Sequence, residues 1–234
     1  MNIAGMQPAP WIENLENAPW ILEHSEELIA FYGEETFWAD DPIPLEGDRE
    51  SLQKSDPEAA AQAVAEAWLQ ELDFGLEGVS VSSMEEPGIY FDVEKEELQL
   101  QLYAQDLKDA ARMPAAVALS FAALLISMNR PDSEHAWHEE EEMPITALVA
   151  ILMGFGPYIC EAERLLEQSG EEISFSGLTL EECCYAQAYV CFSFEQDFTT
   201  FQESFSPEVR GRIAEALGYM MQLEAADSTD SDGQ

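Results

Sequence analysis

The sequence predicts an α+β fold, with a small antiparallel sheet and a mostly helical C-terminal half around a buried central helix. Between residues 78 and 103, apolar residues recur at every second position, as they do in strands. Pro114 instead opens a long apolar run of helical length. From Ile145 to Cys160 the chain is apolar on every side, and such a helix must be surrounded by protein.

We expect this central segment to be a core helix rather than a membrane span. Its apolar run is short for a bilayer and is interrupted by Gly154, Gly156 and Pro157. Four consecutive glutamates, Glu139–Glu142, precede it. The first twenty residues lack the basic region and the continuous apolar stretch of an export signal. The sequence therefore predicts a cytoplasmic protein that does not bind membranes.

The N-terminal part is predicted to be an aromatic-rich helical segment. Apolar residues from Trp20 to Phe31 follow helical spacing, and Gly33 ends that helix. We expect its aromatic side chains to pack on a core rather than to form a partner-binding face. The chain is thereby divided into this segment (1–45), an α+β domain (46–223) and a disordered acidic tail (224–234).

The α+β domain begins with a helix, three strands and a second helix. Asp56 is the expected N-cap of the first helix, and Pro57 is its first residue. Turns at 85–88 and 94–97 separate the three strands, which predicts an antiparallel sheet. The helix opened by Pro114 is expected to pack antiparallel to the central helix, with Phe121, Leu124 and Leu125 near Leu148 and Leu152.

Beyond the central helix we expect one more strand and two more helices. Residues 172–175 form the candidate strand. Thr179 and Glu182 have the spacing of a capping box, which predicts a helix to about residue 195. Pro207 starts a last helix, to roughly Leu223. The cysteines lie in apolar helical patterns and are expected to be buried free thiols: Cys160, Cys183, Cys184 and Cys191.

The charge balance excludes some ligands. The chain has 48 acidic and 9 basic residues, a formal net charge of -39. Binding to nucleic-acid phosphates or anionic membranes requires basic groups, so neither is expected as a direct ligand. Three explanations of the acidity remain open. They are adaptation to a salty cytoplasm, binding of a basic protein partner, and diffuse binding of calcium or magnesium without an EF-hand loop.

The metal-site candidate lies in the acidic connection before the central helix. His135 and His138 are three residues apart, and with Glu139 and Glu142 they could bind a divalent ion. The alternative is an exposed acidic loop that contains two histidines, and we favour it. The sequence has no G-x-S-x-G nucleophile motif and no phosphate-binding glycine loop. No cofactor is expected.

The order of elements resembles that of bacterial zinc-metallopeptidase-like proteins. In these proteins a mixed segment leads to a helix with an H-E-x-x-H motif, then to an apolar helix with a G-[FL]-G motif. The similar residues here are Pro144–Leu148, Gly154-Phe155-Gly156 and Leu178–Glu182, and the resemblance spans about Gly78 to Phe194.

The resemblance places the helix opened by Pro114 where the zinc-binding helix would lie. Phe121, Ala122 and Leu125 then occupy the positions of the two histidines and the glutamate, and Met143 that of the third ligand. Because these residues cannot bind zinc or activate water, the resemblance implies a degenerate site on a retained fold.

Together these observations predict a non-catalytic, strongly acidic interaction protein that binds a basic protein partner. Inhibitor, immunity factor, adaptor and nucleic-acid mimic are the roles considered. The alternatives are a metal-dependent hydrolase with a site around His135 and His138, and a salt-adapted protein of unrelated function. The oligomeric state is left open.

Overall fold

The structure is a computed structural model that describes residues 9–37, 42–45, 55–72, 74–92, 97–129, 137–170 and 174–231, with side chains to residue 226. It divides into two compact units. We call residues 1–42 and 147–234 the helical unit and residues 43–146 the sheet unit. In this division the N-terminal segment belongs to the same unit as the C-terminal half, and the expected division into 1–45, 46–223 and 224–234 stays a prediction.

The elements of the helical unit are almost all α-helices. Its first two are α1 (Pro10–Glu13) and α2 (Ala18–Tyr32), followed by a 3-10 turn (Glu34–Thr36). The sheet unit contains α3 (Pro57–Leu72), β1 (Gly78–Met84), β2 (Gly88–Asp92), β3 (Glu97–Tyr103), α4 (Ala104–Leu107), α5 (Arg112–Met128) and a 3-10 turn (Glu139–Glu141). Next come α6 (Glu142–Ala150), which crosses the unit boundary, a π-helical turn (Ile151–Phe155), α7 (Gly156–Ser169), α8 (Leu180–Ser193), α9 (Phe198–Phe201), a 3-10 turn (Gln202–Ser204) and α10 (Pro207–Ser231).

The sheet confirms the α+β prediction but not its purely antiparallel form. The described strands are ordered β1-β3-β2, with β1 parallel to β3 and β2 antiparallel to β3. The chain therefore leaves β1, skips one strand position and forms β2. It then returns as β3 in the position between β1 and β2. The apolar alternation persists, because Val79 and Val81 lie beside Leu98 and Leu100 on one face.

Side chains of α3 cover the outer edge of β1. Gln62 Nε2 donates to the carbonyl of Val79, and Gln62 Oε1 accepts from the Val81 amide at 2.7 Å. Glu58 Oε1 accepts from the Ser83 amide at 2.9 Å, and hydrogen bonding to Ser83 lowers the pKa of Glu58. Since an unpaired strand edge can recruit another strand, these bonds close the β1 side of the sheet.

Helix α3 begins as predicted. The carboxylate of Asp56 accepts from the Ala59 amide at 3.2 Å, and Pro57 is the first helical residue. The buried face includes Val64 and Trp68, and Trp68 Nε1 donates to the carbonyl of Pro44 at 2.9 Å.

The predicted buried helix after Pro114 is present as α5. Phe121 has no exposed surface, and Leu124 and Leu125 are each 6% exposed, which confirms that these residues are core. Within the sheet unit the ring of Phe121 stacks on Phe74, with centroids 5.9 Å apart and planes 9° apart. Packing of α5 against Leu148 and Leu152 stays a prediction.

The central segment is buried as expected but is not one regular helix. Every residue from Ala147 to Cys160 is buried. Gly154 has φ +91°, a conformation that favours glycine, and it kinks the chain between α6 and α7. The helical run Glu139–Ser169 is long and apolar enough to cross a bilayer, but 78% of its most apolar window is buried in protein. Such burial is typical of the core helix of a globular protein.

Helix α8 forms the centre of the helical unit, where α2, α7 and α10 pack on it. Its capping box is confirmed, because Thr179 Oγ1 accepts from the Glu182 amide and Glu182 Oε2 accepts from the Thr179 amide at 2.7 Å. The prediction for the cysteines is also confirmed, since all four are buried and free.

Two C-terminal predictions differ from the structure. Of the candidate strand 172–175, residues 172 and 173 lie outside the described part of the chain. Ser174 and Phe175 are not in a strand, and Ser174 Oγ donates to the carbonyl of Leu178 at 2.7 Å. Helix α10 continues to Ser231, past the end expected at Leu223 and into the acidic segment predicted to be disordered.

Candidate functional site

The residues considered as a metal-site candidate do not form a metal site among the residues that the structure describes. His138, Glu139 and Glu142 are exposed, while His135 lies outside the described residues. The backbone amide of His138 donates to Glu141 Oε2 at 3.1 Å, so this stretch serves as the start of a helix. Across the described ranges, no group of three or more His, Cys, Asp or Glu could hold a metal ion.

The four positions taken from the metallopeptidase resemblance lie in different environments. Phe121 and Ala122 have no exposed surface, and Leu125 is 6% exposed, whereas Met143 is 51% exposed. Three of these side chains are core and the fourth is largely at the surface.

The buried thiols are protected from reaction. Burial raises the pKa of Cys183 well above its ordinary value, and it raises that of Cys191 to about 11. A hydrogen bond with Cys184, together with burial, raises the pKa of Cys160 in the same direction. Since the thiolate is the nucleophile, these cysteines are suited to packing rather than catalysis.

The carboxylate of Glu163 is buried beside these thiols. It accepts from the amide and the hydroxyl of Ser176, both at 2.6 Å, and from the Ser174 hydroxyl at 3.1 Å. Burial raises the pKa of Glu163, although the hydrogen bonds from these serines act in the opposite direction. Because its Oε1 accepts these three bonds and so holds the loop before α8, Glu163 has a structural role.

An open groove lies at one end of the sheet, entirely within the sheet unit, and has a volume of about 590 Å³. It is built by the end of β1, the turn that follows, and the neighbouring parts of β2, β3 and α4. Its lining residues are Ser83, Met84, Glu85, Glu86, Tyr90, Gln101 and Ala104. Among these residues the only charged side chains are two glutamates, so the groove offers carboxylates, an aromatic ring and uncharged polar groups.

Tyr90 forms one wall of the groove. A Cβ atom at Gly88 would lie 2.8 Å from the Tyr90 ring, so the ring occupies the space that a side chain at Gly88 would need. Tyr90 nevertheless remains 53% exposed. Its ring therefore lies along the sheet with a large part of its surface available to a ligand.

The sheet face beside the groove is open and uncharged over most of its area. The register places Ser82 beside Gln101, Met84 beside Tyr103, and Tyr90 beside Gln99 on this face. Met84 and Tyr103 are 48% and 42% exposed. Exposed Tyr and Met residues next to polar groups are common at protein-binding surfaces.

In the helical unit the basic residues are already paired with glutamates. The sequence gives this unit three of them, Arg164, Arg210 and Arg212. Arg164 binds Glu161 through two hydrogen bonds of 2.7 and 2.9 Å, and Arg210 bonds Glu203 at 2.6 Å. Arg212 lies within 4 Å of three glutamates: Glu167, Glu181 and Glu208. The other carboxylates of this unit therefore have no further lysine or arginine side chain of the same unit to pair with.

The groove was not predicted from the sequence. The exposed pair Tyr90 and Phe91 in a short strand preceded by Glu85 and Glu86 is the signal that could have indicated it.

Comparisons with known proteins do not assign the chain to a family. No protein-family model matches it, and neither does any curated protein or any solved structure. Nothing in them supports the resemblance to zinc-metallopeptidase-like proteins, which stays a prediction.

Proposed function

We propose that the protein is a non-catalytic acidic binding protein whose carboxylate surface binds a basic protein partner. Inhibitor, immunity factor, adaptor and nucleic-acid mimic are the roles that fit such binding. The observation that carries the proposal is the unpaired acidic charge. The net charge is -39, and the arginines of the helical unit are already bound to glutamates.

Electrostatic attraction explains how such a surface would work. Many of the described carboxylates are exposed, including Glu23, Glu66, Glu86 and Glu139. A dense field of one sign accelerates encounter with a partner of opposite sign and repels other acidic proteins. The site for a first, oriented contact is the groove, where carboxylates stand beside an exposed aromatic ring.

Binding of a basic probe tests this function. We expect the protein to bind a lysine- and arginine-rich globular protein in 0.15 M KCl, measured by isothermal titration calorimetry. Its affinity should fall as KCl is raised to 0.5 M, because the ionic atmosphere screens exposed charges beyond about a Debye length. An acidic protein of the same size is the control and should not bind. Failure of basic probes to bind in 0.15 M KCl would contradict the proposal.

A thermal melt in two salt concentrations separates partner binding from adaptation to salt. If the acidity serves a partner, the chain should already fold cooperatively in 0.1 M KCl. Its midpoint should then rise by less than about 4 °C in 2 M KCl, which corresponds to roughly 1 kcal/mol for a protein of this size. Circular dichroism at the two concentrations measures this. A chain that folds only at molar salt would support the salt-adapted origin.

A further inference from the structure

We propose that the outer edge of β2 binds an extended basic segment of the partner as a fourth strand, with a cationic side chain seated in the groove beside Tyr90. This inference rests on the proposed function and names its site and its binding mode. Two observations support it. The backbone groups on the outer edge of β1 are hydrogen-bonded whereas those of Ile89 and Phe91 on the outer edge of β2 are not, among the described residues, and the groove is lined by Tyr90 of β2.

The outer backbone groups of β1 are already hydrogen-bonded, and these bonds show which residues of β1 direct their backbone groups away from β3. Gln62 and Glu58 bond the outward backbone groups of Val79, Val81 and Ser83. Because successive residues of a strand direct their backbone groups to opposite sides, the even-numbered residues of β1 face β3. In a parallel pair, a residue that faces the neighbouring strand bonds the residues on either side of its partner, and the partner itself faces away. Ser80 is paired with Gln99, so the backbone groups of Gln99 face away from β1 and towards β2.

The same alternation identifies the free groups on β2. Tyr90 is opposite Gln99, so these two residues exchange backbone hydrogen bonds, and Ile89 and Phe91 direct theirs to the outer edge. Over the described ranges, no backbone or side-chain group is bonded to Ile89 or Phe91 from outside the sheet. Two amides and two carbonyls are thus available to an added strand, as in β-augmentation.

The groove suits one long cationic side chain of such a strand. An added strand lies about 4.8 Å from β2, and its alternate side chains project onto the face that carries Tyr90. A guanidinium or ammonium group near the Tyr90 ring gains a cation–π interaction. Glu85 and Glu86 line the same groove and supply the opposite charge.

Charge also argues against a second copy of the chain as the occupant. Pairing of two β2 edges would bring Glu85, Glu86 and Asp92 of one molecule near those of the other. Like charges across strands destabilise the pair, and the net charge of -39 adds long-range repulsion. A basic segment would instead be attracted by the carboxylates at both ends of β2.

The test uses the full chain and an acetylated, amidated octapeptide of alternating threonine and arginine, in 0.15 M KCl. Fluorescence anisotropy should show binding that weakens about tenfold in Glu85→Gln/Glu86→Gln and about fivefold in Tyr90→Ser. The matched control is Glu139→Gln/Glu140→Gln, which removes the same charge from exposed sites elsewhere and should change affinity less than about twofold.

Strand addition has its own readouts that charge alone would not move. Amide exchange at Ile89 and Phe91 should slow in the complex, whereas Tyr90, already bonded to β3, serves as the internal reference. Two further peptides carry N-methyl groups on either the threonine or the arginine amides. One of them should lose binding and the other should keep it, because only alternate amides of the added strand face β2.

The outcomes separate the two proposals. If basic probes bind but the groove variants behave like the control pair, the site is wrong and the proposed function stands. If both N-methylated peptides bind and exchange at Ile89 and Phe91 is unchanged, strand addition is wrong. Protection of these amides in a dimer of the free protein would show a second copy in this place. If no basic probe binds, the proposed function fails and this inference fails with it.

Discussion

Replacing Phe121 with histidine is expected to lower the free energy of unfolding by roughly 2–5 kcal/mol. Phe121 has no exposed surface, and its ring stacks on Phe74. The imidazole is smaller and would bring polar nitrogens into a site without assured hydrogen-bond partners. Both the lost packing and the desolvation act against the folded state. Urea denaturation followed by circular dichroism measures the change.

Phe121→Leu is the matched control, because it also removes the ring but adds no polar atom. It should cost clearly less than the histidine variant. The double variant Phe121→His/Leu125→His tests the metallopeptidase resemblance directly, since it places two imidazoles one helical turn apart. If this variant kept wild-type stability and bound zinc, the geometry of a ligand site would have survived and α5 would not be only a packing helix.

The elements best predicted from the sequence are those specified by neighbouring residues. The N-cap Asp56 with Pro57 fixed the start of α3, and Thr179 with Glu182 fixed the start of α8. Each signal acts over three or four residues and needs no tertiary information. The burial of α5 was also predicted from neighbouring residues, because a helix with so long an apolar run must be covered by protein.

Strand order was not predicted correctly, because apolar alternation assigns faces but not neighbours. Short turns between β1, β2 and β3 favour an antiparallel meander, and in the structure β3 instead lies between the other two. Val79, Leu98 and Leu100 face the core in either arrangement, so the pattern cannot distinguish them.

The candidate site depends on this same long-range information. Met84 of β1 and Gln101 of β3 line one groove only because β1 lies beside β3, a pairing that a meander would not form. The histidines and glutamates singled out in the sequence were selected by their chemistry and spacing. Those that the structure describes are exposed and do not converge on a site.

Replacing Gly156 with alanine is expected to destabilise the protein by about 1–3 kcal/mol through overpacking. A Cβ atom at Gly156 would overlap the amide oxygen of Gln187 and lie 2.8 Å from its Cδ. Gln187 is 3% exposed and its Nε2 is bonded to Cys191 Sγ, so its side chain has little room to move away. The comparison is the midpoint of urea unfolding in wild type and variant.

Combination with Gln187→Ala shows whether the close approach of α7 and α8 is the cause. In the Gln187→Ala background the added methyl group has space, and alanine is preferred over glycine in a helix by about 1 kcal/mol. The loss caused by Gly156→Ala should therefore disappear or reverse there, giving a coupling free energy of about 1–3 kcal/mol. Gln187→Ala also removes a buried amide oxygen that has no hydrogen-bond partner among the described residues. If Gly156→Ala cost the same in both backgrounds, contact with Gln187 would not explain the glycine, and its place after the kink at Gly154 would be the remaining physical reason.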